Sequence, residues 1–131
     1  MNNKKSILIV DDEQLFGVIL TRFLEKEGYV VSFCKNPSDA LLLSQKRNFD
    51  IIMTDYDMPG MNGADFSKRM RYRFSDSLII GLSCETRENA FLAAGADAFF
   101  EKPVDFRKLI SMLRQNDNIA FCREAEDMVP V

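Results

Sequence analysis

Short apolar runs alternate with amphipathic stretches along most of the chain. Ile7 to Val10 is continuously apolar and mostly β-branched, the pattern of a strand buried on both faces, and it ends at Asp11-Asp12-Glu13. From Gln14 to Glu27 the residues Phe16, Ile19, Leu20 and Phe23 fall at helical spacing, with Gly28 placed to close the helix. Val30 to Cys34 predicts a second strand, and Asn36-Pro37 supplies an N-cap followed by a first-turn proline for a helix through about Lys46. Ile51 to Met53 is a third apolar run, ending at Thr54-Asp55 and followed by the breakers Pro59, Gly60 and Gly63.

The second half repeats the alternation. Ala64 to Arg73 carries Phe66 and Met70 four residues apart, Leu78 to Leu82 is a fourth strand running into Ser83-Cys84, and Thr86 to Ala94 predicts a helix stopped by Gly95. Ala98 to Phe100 is a short fifth strand before Glu101-Lys102-Pro103. Asp105 can cap a last helix in which Phe106, Leu109, Ile110 and Leu113 share one face. The pattern is lost beyond Asn116, so residues 1–116 are expected to form one domain and 117–131 a flexible C-terminal tail or linker stub. Strands and helices that alternate through short connections imply an α/β fold, a doubly wound five-stranded parallel sheet with five helices on its faces. Ligands of such sheets bind beyond the carboxyl ends of the strands.

Composition narrows the chemistry. The 131 residues carry a net charge of −3 with scattered basic residues, which argues against direct nucleic-acid binding through phosphate contacts. Three cysteines without metal-like spacing, and no histidine, disfavour a disulfide framework, a zinc site and an imidazole base, and fit a reducing cytoplasm. No apolar run is long enough to span a bilayer. At the strand ends stand Asp11, Asp12, Asp55, Ser83 and Lys102. Clustered carboxylates raise one another's pKa unless a cation compensates, and hard oxygens suit Mg²⁺. A carboxylate beside a divalent cation, an ammonium and a hydroxyl is equipped to attack a phosphoryl group. Each residue also has an ordinary reading: Asp12 as a helix cap, Asp57 as a turn residue, Ser83 as a strand-end hydroxyl, Lys102 as a surface lysine. Their joint placement at one edge favours the site.

From about Lys4 to Gln115 the sequence resembles the receiver domain of bacterial two-component response regulators. The motifs are I-L-I-V-D-D ending at Asp12, D-I-I-M-T-D-Y-D-M-P-G-M-N-G from Asp50 to Gly63, Ser83 closing the fourth strand, and G-A-D-A-F-F-E-K-P from Gly95 to Pro103. The resemblance brings with it the flavodoxin-like strand order 2-1-3-4-5, an order that periodicity alone does not supply. It implies a protein that is not an enzyme but a phospho-acceptor assisting its own phosphorylation and dephosphorylation. Asp55 would accept a phosphoryl group from the phosphohistidine of a sensor histidine kinase or phosphotransfer protein. Asp11, Asp12, Asp55 and the Asp57 backbone carbonyl would hold Mg²⁺, Ser83 and Lys102 would bind phosphoryl oxygens, and Lys102-Pro103 would be cis. Ser83 and Phe99 would then switch an output face over residues 86–114, which also offers a surface for homodimerisation.

Several positions depart from common family choices. Phe99 lacks the hydroxyl of the tyrosine common at the switch, Cys84 replaces a smaller residue after Ser83, and Asp57 and Glu85 add acidic side chains beside the site. The output partner, an unknown protein or an effector domain of a longer regulator, is not encoded in these motifs. A receiver that docks without phosphorylation is an alternative. So is a phosphatase of the haloacid-dehalogenase type, whose Asp-x-Asp motif Asp55 and Asp57 resemble, though Pro59 and Asp11-Asp12 fit it poorly.

Overall fold

The computed structural model describes the backbone over residues 4–127 and the side chains over residues 4–116. In chain order the elements are β1 (Ser6–Val10), α1 (Gln14–Lys26), β2 (Val30–Cys34), α2 (Pro37–Lys46), β3 (Ile51–Asp55), α3 (Gly63–Arg73), β4 (Leu78–Ser83), α4 (Glu88–Ala93), β5 (Ala98–Glu101) and α5 (Phe106–Asp127). The five strands form one parallel sheet in the order β2-β1-β3-β4-β5, as expected. Among the described residues, no helix is long and apolar enough to cross a membrane.

The apolar runs are continuous because each strand is covered on both faces. Ile7, Ile9, Ile51 and Met53 join Leu20, Leu24, Leu109 and Leu113 in the core under α1 and α5. Leu8, Val10 and Ile52 point the other way and pack with Ala40, Phe66, Met70 and Phe91 under α2, α3 and α4. Burying one such Leu or Ile contributes roughly 1.5–3 kcal/mol, so the two layers fix the register of β1 and β3 and the positions of their terminal carboxylates.

Local signals explain most boundaries. Asn36 accepts the Asp39 N–H at 2.8 Å before Pro37, and the Asp105 carboxylate accepts the Arg107 N–H at 3.0 Å. At α1 the expectations need correction. Its buried residues are Gly17, Leu20 and Leu24, with Phe16 and Phe23 partly buried, whereas Ile19 is 48% exposed. The phase is set by Gly17, which lies so close to the Phe33 ring on β2 that a Cβ there would overlap it. Nor does Asp12 cap α1: the cap position is Glu13, without a side-chain cap bond. The helix expected over 86–94 is shorter, because the chain turns at Ser83 and reaches helical geometry only after Arg87. At the other end α5 runs past Asn116 to Asp127. The sequence holds no glycine or proline from Val104 to Val129 to stop it. The flexible tail expected over 117–131 falls partly on 128–131, outside the described residues.

Candidate functional site

The strand order sets the carboxyl ends of β1 and β3 side by side, with Val10 paired to Thr54. Asp11 leaves β1 held by its own backbone, since its N–H donates to the Cys34 carbonyl at 3.1 Å. Its side chain is fully buried; Oδ1 accepts the Glu13 N–H at 2.9 Å and Oδ2 accepts from Lys102 Nζ at 2.8 Å. Asp55 ends β3 and is buried, opposite Leu82 of β4. The following turn is tight: Gly63 N–H donates to the Tyr56 carbonyl at 2.8 Å, and a Cβ on Gly63 would overlap the Asp55 carbonyl. Only glycine lets α3 start so close to the end of β3.

Lys102 reaches in from the far side. Its N–H donates to the Ser83 carbonyl at 2.8 Å, and the Lys102-Pro103 peptide is cis. With only 5% of its side chain exposed, Nζ lies 2.8 Å from Asp11 Oδ2, 3.2 Å from Glu13 Oε1 and 3.3 Å from Asp55 Oδ1, and 4.5 Å from the centre of the Phe16 ring. Carboxylate oxygens of Asp11, Asp12 and Asp55 come within 4.8 Å of one another.

One ammonium does not balance these carboxylates. Burial, and then repulsion from Asp11, push the Asp55 carboxyl up to about 7 despite Lys102. Asp11 is raised as well, by burial working against its bond to Lys102. For Lys102, burial works against the charge, but the Asp11 hydrogen bond and the fields of Asp11 and Asp55 outweigh it and hold the pKa above its usual value. A hard cation among three carboxylates would relieve this repulsion, so the donor set fits Mg²⁺.

The structure therefore brings Asp11, Asp12, Asp55 and Lys102 together, with Ser83 buried at the adjoining strand end. Asp57 is exposed in the β3–α3 loop. Phe99 is half-buried on β5, its ring 5.8 Å from that of Phe91. Sequence reasoning missed Glu13 as a partner of Lys102, although Glu13 belongs to the acidic run at the end of β1 and that run was its signal. Beside the site, Glu13, Phe16, Ile19, Cys84, Lys102 and Val104 line much of a cleft of about 450 Å³ between the start of α1 and the β5–α5 connection.

Known proteins are similar to this chain in sequence and fold. Residues 7–114 match the family model described as response regulator receiver domain. A putative two-component response regulator of Arabidopsis thaliana, ARR21, is 36% identical over 104 residues, covering 77% of this chain and 17% of that protein. The chain spans from about a sixth to about half the length of the first curated relatives it matches. Among solved structures, chemotaxis response regulator CheY4 of Vibrio cholerae is similar with a TM-score of 0.80 and 29% identity, over 86% of this chain and 98% of that one. Response regulator TrrA of Thermotoga maritima, solved in complex with Mg²⁺-BeF, is similar with a TM-score of 0.78 and 28% identity, over 85% of this chain and 97% of that one.

Proposed function

Because the chain belongs to the response regulator receiver domain family, we propose that its 1–116 unit accepts a phosphoryl group on Asp55 from the phosphohistidine of a sensor kinase or phosphotransfer protein. The observation that carries this reading is the buried Asp55 carboxylate 3.3 Å from Lys102 Nζ, inside a cluster of three carboxylates within 4.8 Å. An Asp55 oxygen attacks phosphorus as the phosphorus–nitrogen bond of the donor breaks. The bonding pair leaves on the imidazole nitrogen, and an acyl phosphate remains on the chain. Lys102 offers its ammonium to an equatorial oxygen, and Ser83 its hydroxyl. Asp11, Asp12, Asp55 and the Asp57 backbone carbonyl would hold Mg²⁺, which when bound supplies the missing positive charge.

Ser83 in its resting state accepts the Glu85 N–H at 3.1 Å, which leaves its own proton free for a phosphoryl oxygen. Drawing Ser83 toward Asp55 frees space for Phe99, so coupling to the output face over 86–114 rests on packing. The protein partner of that face receives the signal. On this reading the chain is a phospho-acceptor and not an enzyme acting on a separate substrate.

Intact mass after incubation with Mg²⁺ and acetyl phosphate tests the proposal. The expected result is one added phosphoryl group, lost in Asp55→Ala and in chelator. Turnover of the donor without a lasting adduct, dependent on Asp57, would instead identify an aspartate-nucleophile phosphatase. Failure to label from both small donors and kinases would identify a receiver that docks without phosphorylation.

A further inference from the structure

The loop between β4 and α4, residues 84–87, is fastened at two points. At its start the Ser83 hydroxyl accepts the Glu85 N–H. At its end Arg87 lays its guanidinium over the ring of Tyr56, with Cζ 4.4 Å from the centroid, and pairs with Glu85 at 3.0 Å. Tyr56 directly follows the acceptor Asp55, and its own N–H is tied to the Leu82 carbonyl at 3.0 Å. Its ring stands edge-on to Phe91 at 5.8 Å, and Phe91 in turn meets Phe99 at 5.8 Å. A cation, the residue after the acceptor, the first core residue of α4 and the β5 aromatic thus form one continuous stack.

The fastening is not a fully satisfied one. Arg87 Nε is buried and has no hydrogen-bond partner among the described residues. A buried donor left unpaired is a standing penalty, recovered as soon as the group meets water. A guanidinium held by a ring face and one exposed carboxylate is a contact poised for release.

We infer that Arg87 is a positioning residue for labelling at Asp55: stacked on Tyr56, it pins the 84–87 loop, and with it the Ser83 hydroxyl, in the resting arrangement. The inference rests on the receiver reading above and adds a control to the same site. Ser83 is fully buried and its oxygen accepts the Glu85 N–H, so any movement of the hydroxyl toward a group on Asp55 must carry the start of the loop with it or break that tie. The stack opposes that shift. It also couples the loop to Phe91 and Phe99, so that release at the acceptor loosens the side of the sheet covered by α4.

The test compares wild type, Arg87→Ala, Tyr56→Leu and the double variant in labelling by acetyl phosphate. Salt at about 0.5 M screens the Glu85 charge that Arg87→Ala unmasks. Each single variant is expected to label about 3- to 10-fold faster, because less of the population is held in the resting arrangement. The double variant should be no faster than either single, and Arg87→Lys and Tyr56→Phe should stay near wild type. In the wild-type NMR spectrum the Arg87 Nε–H resonance should be shifted upfield by the ring, and should move toward its ordinary position on labelling. Unchanged rates, or effects that multiply in the double variant, overturn the inference.

Amide exchange over residues 84–87 reads the latch without any labelling, and Arg87→Ala suffices if Tyr56→Leu does not fold. Faster exchange supports the latch; exchange equal to wild type overturns it even in a chain that labels normally. If the wild type never labels and Arg87→Ala still loosens this loop, the phospho-acceptor reading fails and the latch stands.

Discussion

The two ends of the sheet treat charge in opposite ways. At the end where β4 begins, Arg71 donates to the carbonyls of Gly95 at 2.9 Å, Ser75 at 3.0 Å and Ser77 at 2.7 Å, and to Asp97 at 2.5 Å. Asp97 also accepts the Ile79 N–H at 2.8 Å, so cation and anion are both surrounded by partners. At the other end, Asp11, Asp55 and Glu13 share the single ammonium of Lys102, and Asp12 stands close by. The first end is balanced and tethers α3 to the starts of β4 and β5. The second carries surplus negative charge that folding alone does not need. The proposed site for a cation and a phosphoryl group would use that imbalance, which is left in place at some expense of stability.

The largest effect that probes this contrast is expected at the balanced end. Arg71→Ala leaves several carbonyls and Asp97 short of a donor and should lower unfolding stability by about 2–4 kcal/mol. Denaturant titration measures it. Labelling of the folded fraction should persist, and its loss would mean that the two ends are not separable.

At the unbalanced end the sign reverses. In chelator, Asp55 titrates at about 7 in the folded chain against roughly 3.9 unfolded, so between these values the folded state binds the extra proton. Stability should therefore fall as pH rises from about 4 to about 7 and level off above. Asp55→Asn removes the repelling charge and should be more stable than wild type by about 1–3 kcal/mol near pH 8, with the gap closing toward pH 4. A variant less stable than wild type at every pH would show Asp55 to be a structural partner of Lys102 instead. Saturating Mg²⁺ should shrink the gap at pH 8, and thermal melts with and without the ion read that directly.

The smallest expected effect concerns the rim. Asp57 is exposed two residues after Asp55, the proposed acceptor, so Asp57→Asn should speed labelling by an anionic small donor only about 2- to 3-fold, and less at high salt. An unchanged rate at low salt would confine the charge contrast to the buried groups.

Much of this was legible in the sequence for a physical reason. Ile7–Val10 and Ile51–Met53 are short, apolar and bounded by acids or breakers, so strand ends and their carboxylates could be placed without a structure. The convergence of Asp11, Asp55 and Lys102 followed from the parallel topology. Helix phase was less accessible: Ile19 and Leu24 are both apolar, and the contact between Gly17 and Phe33 decides which of them faces the sheet. The reach of side chains was the least accessible: the acidic run at the end of β1 marks Glu13 only as near the site. Nothing in the spacing of Glu13 or Arg87 says that one bends to Lys102 and the other lies on Tyr56.

The bond between Lys102 and Asp11 joins residues 91 positions apart, nearly the span of the receiver itself. A chain still emerging from the ribosome has its acidic residues long before it has the lysine that organises them. The cluster of carboxylates and lysine is thus completed only when β5 docks beside β4, as the last strand of the sheet to be synthesised. Incomplete chains and fragments ending before Lys102 carry Asp11 and Asp55 without the ammonium that both of them meet in the finished fold.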